Sequence, residues 1–183
     1  ANEISNLSAV QVFAMTPTGI AALSSSQIQA IPSTSIASLD LSTLSTDQIS
    51  ALTSKQVSAL SSTQINGLSS NSLSAISPSA FSSVAVQTIT AISSQINNLS
   101  TAQIAALTSS QVKALTSSQL NAMSVDQIAS ISLSGIGALT TSQISGLTSS
   151  IDLIAGLTTA QISALSTTNI TNLTNSQLNA LNT

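Results

Sequence analysis

An eight-residue period runs through nearly the whole chain and limits what it can fold into. Leu44, Leu52, Leu60, Leu68, Ile76, Val84 and Ile92 fall eight residues apart, as do Leu99, Leu107, Leu115, Met123, Ile131, Leu139 and Leu147. The same step carries Leu7 to Leu39 and Leu157 to Leu181, which gives nineteen complete octads. Position 1 is always Leu, Ile, Met or Val, and position 6 is always apolar. Position 8 is Ala, Gly or Ser in eighteen octads, with Asn172 the exception. Position 2 is Ser or Thr in seventeen and position 5 is Gln in twelve. The consensus is L-[ST]-x-x-Q-[IVL]-x-[AG].

The period discriminates between secondary structures. A half-buried strand needs apolar residues of one parity, and positions 1 and 6 differ in parity. A parallel β-helix with turns absorbs that difference and stands as the alternative. One long helix fails, because eight residues at about 100° each overshoot two turns by about 80° and wind the apolar stripe around the rod. Short capped helices fit every position. With position 2 as N-cap, position 5 is N3, and Ser/Thr-x-x-Gln is a capping box. Positions 1 and 6 become N′ and N4, the two halves of a hydrophobic staple. Pro17 and Pro78 fall at N1, the helical site that favours proline, and Pro32 falls at a cap. Asp47 and Asp126 fall at N2, where the helix dipole favours negative charge. The expected fold is an all-α solenoid with one helix of about six residues per octad. Helices this short are marginal alone, so neighbouring repeats must bury the staples. The number of octads per turn stays open: two, three and seven all satisfy the period.

A longer period lies above the octads. The register slips at Leu39–Leu44, Ile92–Leu99 and Leu147–Leu157, and the blocks between slips resemble one another. The stretches beginning at Ser45, Ser100 and Thr158 align, at steps of 55 and 58 residues, each seven units long. Residues 45–99 and 100–157 read as full super-repeats, 1–44 and 158–183 as partial ones. No linker interrupts them, so 1–183 is expected to form one continuous repeat body.

Arrays of this octad resemble those of very large repetitive secreted proteins of proteobacteria, grouped with RTX-like adhesins and surface-layer proteins. The resemblance covers residues 7–183. It implies export, cell-surface or extracellular placement, and a structural or adhesive role. The chain lacks the G-G-x-G-x-D run of RTX repeats, which argues against calcium-dependent folding of this segment.

Composition narrows the chemistry. His, Cys, Trp and Tyr are absent, and Lys55 and Lys113 are the only basic residues. Thiolate chemistry, disulfides and the usual zinc, haem or iron–sulfur sites are therefore excluded, and no basic footprint for nucleic acid exists. Ser and Thr make up about a third of the chain, yet 42% is hydrophobic and mean hydropathy is +0.44, so the disordered class does not apply. No apolar run approaches a membrane span, and no signal peptide is visible. Ser110-Gln-Val-Lys113 matches S-x-x-K, a spacing this repeat generates on its own, without a K-T-G partner. The carboxylates Glu3, Asp40, Asp47, Asp126 and Asp152 have no aromatic or polar platform for hydrolytic work. Asp40 and Asp152 lie in slip segments and are expected to turn the chain there. Asn6, Asn98, Asn169 and Asn172 open N-x-[ST] sequons. The row of Gln at position 5 reads first as capping and second as a polar ladder for sugar.

No catalytic, cofactor-binding or metal residue is therefore assigned, and the chain is expected not to be an enzyme. The leading expectation is an extracellular structural protein, forming or extending a filament, surface layer or adhesin stalk by head-to-tail assembly. Its partner is then a second copy or the neighbouring repeats of a longer chain, with surface glycan as an accompanying ligand. The alternative is a Ser/Thr-rich solenoid that binds ice or glycan.

Overall fold

A hydroxyl at position 2 starts the helix in seventeen of the nineteen octads, Pro32 and Ala85 holding that position in the other two. Ser100 Oγ accepts the Gln103 N–H at 3.2 Å while Gln103 Oε1 accepts the Ser100 N–H at 2.9 Å. This reciprocal box forms at all twelve Gln of position 5. Octads without Gln keep the simpler cap, as where Thr16 accepts from Gly19 and Ser132 from Gly135. Helices end after four to six residues because the next octad opens with extended backbone. Leu115 has φ −58° and ψ 138°, and Thr116 φ −77° and ψ 157°. Among the described residues none has a positive φ, so the corners need no glycine.

The computed structural model describes residues 4–6, 8–92, 95–147 and 154–181. Nineteen α-helices and three 3-10 helices lie whole within them, and no described residue forms a strand, so the β-helix alternative falls. The chain divides into two compact units, residues 1–91 and 92–183. The first holds a 3-10 turn at Ile4–Asn6, then α1 (Ala9–Phe13), α2 (Pro17–Ala21), α3 (Ser25–Ala30) and α4 (Ser33–Ile36). A 3-10 turn at Leu41–Thr43 follows, then α5 (Thr46–Ser50), α6 (Ser54–Ser58), α7 (Ser62–Asn66), α8 (Ser70–Ala75), α9 (Pro78–Phe81) and α10 (Val86–Ala91). The second holds a 3-10 turn at Ile96–Asn98, then α11 (Thr101–Ala106), α12 (Ser109–Ala114), α13 (Ser117–Ala122), α14 (Val125–Ser130), α15 (Leu133–Gly137) and α16 (Thr141–Gly146). After the described residues resume come α17 (Thr159–Ala164), α18 (Thr167–Thr171) and α19 (Asn175–Ala180).

Packing settles the number of octads per turn. In the first unit α5 packs on α8, α6 on α9 and α7 on α10; in the second α11 packs on α14, α12 on α15 and α13 on α16. Each partner is three elements further along the chain. Three octads therefore make one turn, and each unit consists of three stacks of short helices, a solenoid in which repeats are held by their neighbours.

Positions 1 and 6 from all three stacks meet inside. Ile49, Val57, Ile65, Ile104, Val112 and Ile144 are wholly buried, and Phe81 fills a position-6 site in place of an aliphatic residue. Position 4 is exposed in all nineteen octads. Full burial of a Leu or Ile stabilises by about 2–3 kcal/mol, so each octad contributes through its staple pair, which only adjacent turns can cover.

Candidate functional site

The recurring polar feature is the corner where one octad passes to the next. The Gln of position 5 reaches it from the following turn. Gln143 Oε1 caps its own helix, and Gln143 Nε2 donates to Val112 O at 2.9 Å and Leu115 O at 2.7 Å, one turn earlier. Gln127 Nε2 donates in the same way to Leu99 O at 2.6 Å, and Gln56 Nε2 to Ile28 O and Ile31 O at 2.7 and 2.8 Å. The accepting carbonyls stand at helix ends, where the last carbonyls lack intrahelical donors. One amide thus closes the start of its own helix with its oxygen and the end of a helix below with its nitrogen. A carboxylate reproduces only the first half, because it cannot donate.

Most of these glutamines are buried: Gln103 and Gln119 are fully inaccessible and Gln111 and Gln177 nearly so. Nine of the twelve are buried, while Gln11 is exposed and Gln27 and Gln64 half-buried, so the row offers no continuous surface ladder for sugar. Asn169 substitutes at position 5: it is buried, and Asn169 Nδ2 donates to Leu139 O at 2.8 Å. That bond occupies the atom a sequon would glycosylate. Asn172 is exposed with Nδ2 bonded to Thr168 O, Asn98 is half-buried in its 3-10 turn, and Asn6 is exposed.

Two further side chains stitch turns in the forward direction. At position 3, Ser109 and Ser117 hydroxyls donate to Ser134 O and Ser142 O, at 3.1 and 3.3 Å. At position 7, Asn66 and Asn121 amides donate to Ala91 O and Gly146 O, at 3.2 and 2.8 Å. Hydrogen bonds of this kind contribute about 1 kcal/mol each.

The amide bonds also measure the register slips. Gln127 and Gln143 reach the position-1 carbonyl 28 residues back. Gln48, Gln56 and Gln64 reach it only 25 back, because the segment Leu39–Leu44 is three residues short. Gln161 and Asn169 reach 30 back, across the longer segment Leu147–Leu157. These two slips change the length of a turn and leave the bonding intact.

Asp40 turns the chain at the first slip, as its position implies: it caps the 3-10 turn Leu41–Thr43. Asp40 Oδ1 accepts the Ser42 hydroxyl at 2.7 Å and the Ser42 N–H at 3.0 Å. These two bonds, the hydroxyl foremost, hold its carboxyl below the ordinary value. Asp47 and Asp126 are exposed at N2 of α5 and α14. Glu3 and Asp152 lie outside the described residues. Ser110 and Lys113 are both exposed on α12, and no hydrogen bond joins them. Among the described residues no group of His, Cys, Asp or Glu is placed to hold a metal ion, and no helix is long and apolar enough to cross a membrane.

The reach of the Gln amide across turns was missing from the sequence reading, although a signal existed. Both Glu and Gln complete a capping box, and a helix start favours negative charge. Twelve Gln and no Glu at position 5 therefore mark a requirement for a donor.

Comparison with known families gives one match. The ALTTAQ repeat matches residues 34–70, 89–117 and 112–149, over half of the 183 residues with the shared stretch counted once. Its six letters correspond to octad positions 8 and 1 to 5, as in Ala138-Leu-Thr-Thr-Ser-Gln143. No curated protein matches the sequence at a significant level.

Proposed function

The chain belongs to the ALTTAQ repeat family, and from that membership and its geometry we propose that it is an extracellular structural protein. In this reading it forms or extends a filament, surface layer or adhesin stalk, and residues 1–183 act as one continuous array. It does no chemistry of its own. The observation that carries the proposal is the sameness of the joint between turns. A staple core recurs in every octad, and the cross-turn amide recurs at Gln48, Gln56, Gln64, Gln127, Gln143, Gln161, Asn169 and Gln177 irrespective of turn length, so turns can be added without a new kind of contact. The octad's resemblance to arrays of large secreted proteobacterial surface proteins supports the placement outside the cell, as do the acidic balance and the lack of Cys.

Head-to-tail addition follows the same logic. In the last described turn the position-6 residues Ile162 and Ile170 are half-buried and Leu178 is 39% exposed, whereas their counterparts in inner turns are covered. That face accepts a further turn, from this chain or from a second copy. A contact between different faces of two copies propagates into open filaments unless its rotation closes a ring. Light scattering and negative-stain electron microscopy of the purified chain test this. Mass that grows with concentration, with strings or lattices on the grid, is the expected result. A concentration-independent monomer overturns assembly by contact. Dispersed monomers that inhibit ice recrystallisation or bind a glycan overturn the structural reading in favour of a binding module.

A further inference from the structure

The stack formed by α2, the 3-10 turn Leu41–Thr43 and α7 has one short member. Its middle element has three residues where its neighbours have five. The short element leaves room on both sides. Toward α7 there is a cleft of about 310 Å³, whose lining includes Leu39, Leu41, Thr63 and Gly67. Toward α2 there is a smaller one of about 130 Å³ that includes Val12, Met15 and Ile20. Asp40 lines both.

We propose that the larger cleft binds a small aliphatic ammonium ion, with the charged head on Asp40 and the alkyl chain along Leu39 and Leu41. Three observations converge on this chemistry. The Asp40 carboxylate is exposed, and only Oδ1 is used by Ser42; Oδ2 accepts no hydrogen bond from the chain. The cleft behind it is mainly apolar, so it offers little to a strongly hydrated metal cation and favours an ion that brings its own hydrocarbon. Its volume lies at the small end of the range for ligand sites. The Gln64 amide on its wall is already committed: Nε2 donates to Ile36 O and Leu39 O, and Oε1 accepts from Ser61. The carboxylate therefore carries the electrostatic part of recognition, in a chain of net charge −3 that attracts cations overall.

The test is a titration of the full chain with n-hexylammonium chloride, followed through the backbone amides by two-dimensional NMR. Hexanol and hexanoate at equal concentration serve as matched probes. Saturable shifts are expected at Leu41, Ser42 and Gly67 with hexylammonium. Hexanol should bind about fivefold more weakly, the upper range for an exposed ion pair, and hexanoate not at all. Asp40→Asn keeps an oxygen for the cap and should weaken hexylammonium binding by the same factor. The comparison of probes on the unmodified chain holds even if that variant misfolds. Equal binding of hexanol and hexylammonium, unchanged binding by D40N, or no saturable shift at these residues overturns the proposal.

Discussion

At the scale of the residue, glutamine at position 5 is the most informative choice in the chain. It needs an acceptor for its own cap and a donor for the turn below, and only a carboxamide of that length supplies both. Gln143→Glu keeps the acceptor and points a carboxylate at Val112 O and Leu115 O in a buried corner. At pH 7 this should cost about 3 kcal/mol, the scale of a buried charge without a partner. Burial and the facing carbonyls raise the folded pKa of the introduced carboxyl above its unfolded value of about 4.3. Between those two values the native state binds more protons, so stability rises as pH falls. The loss should therefore shrink when urea denaturation is repeated near pH 5, since the protonated group again donates. Ser142→Asp, one residue away and exposed, should stay within about 0.5 kcal/mol at both pH values.

At the scale of the element, helix packing depends on a small residue at position 8. Gly146 ends α16 against the first residue of α13. A Cβ there would fall on the Ser117 hydroxyl and lie 2.6 Å from the Ser117 Cβ. Gly146→Ala raises helix propensity by about 1 kcal/mol, yet overpacking should outweigh it and leave a net loss of about 1–2 kcal/mol. Ser117→Gly in the same chain should recover part of that loss, and a double-mutant cycle by thermal or urea denaturation measures the coupling. Helix existence, start and type were legible in the sequence because caps, staples and N1 prolines act within five residues. The three-stack arrangement was not, because it rests on bonds between residues 25 to 33 apart. The eight-residue period is the same whichever octads meet. Asp40 was legible as a turning residue but not as the edge of a cleft, which arises only where three stacked elements differ in length.

At the scale of the whole molecule, a chain built from three-octad turns should tolerate loss of a turn better than loss of part of one. Deleting residues 107–130 removes three complete octads and joins Ala106 to Ile131, a position-1 residue. The shortened chain should keep a helical far-UV circular dichroism spectrum and a cooperative transition, with a smaller denaturant slope in proportion to the surface lost. Deleting residues 107–118 joins Ala106 to Gln119, halves an octad and misplaces its staple. That variant should unfold or aggregate, because an exposed apolar face then replaces a buried one. Equal tolerance of both deletions would contradict a turn of three octads.

Seven octads to a super-repeat and three to a turn do not divide evenly. After one super-repeat the chain has completed two turns and one octad more. In the second unit the octad from Leu99 supplies α11, which stacks with α14. Its counterpart from Leu157 supplies α17, which stacks with α15 and α12 instead. Corresponding residues of this unit thus advance by a third of a revolution over one super-repeat, like the stripe on a barber's pole. An array that kept this phase would show any feature encoded once per super-repeat at three azimuths in succession. A neighbour approaching from any side would then meet the same feature within three super-repeats.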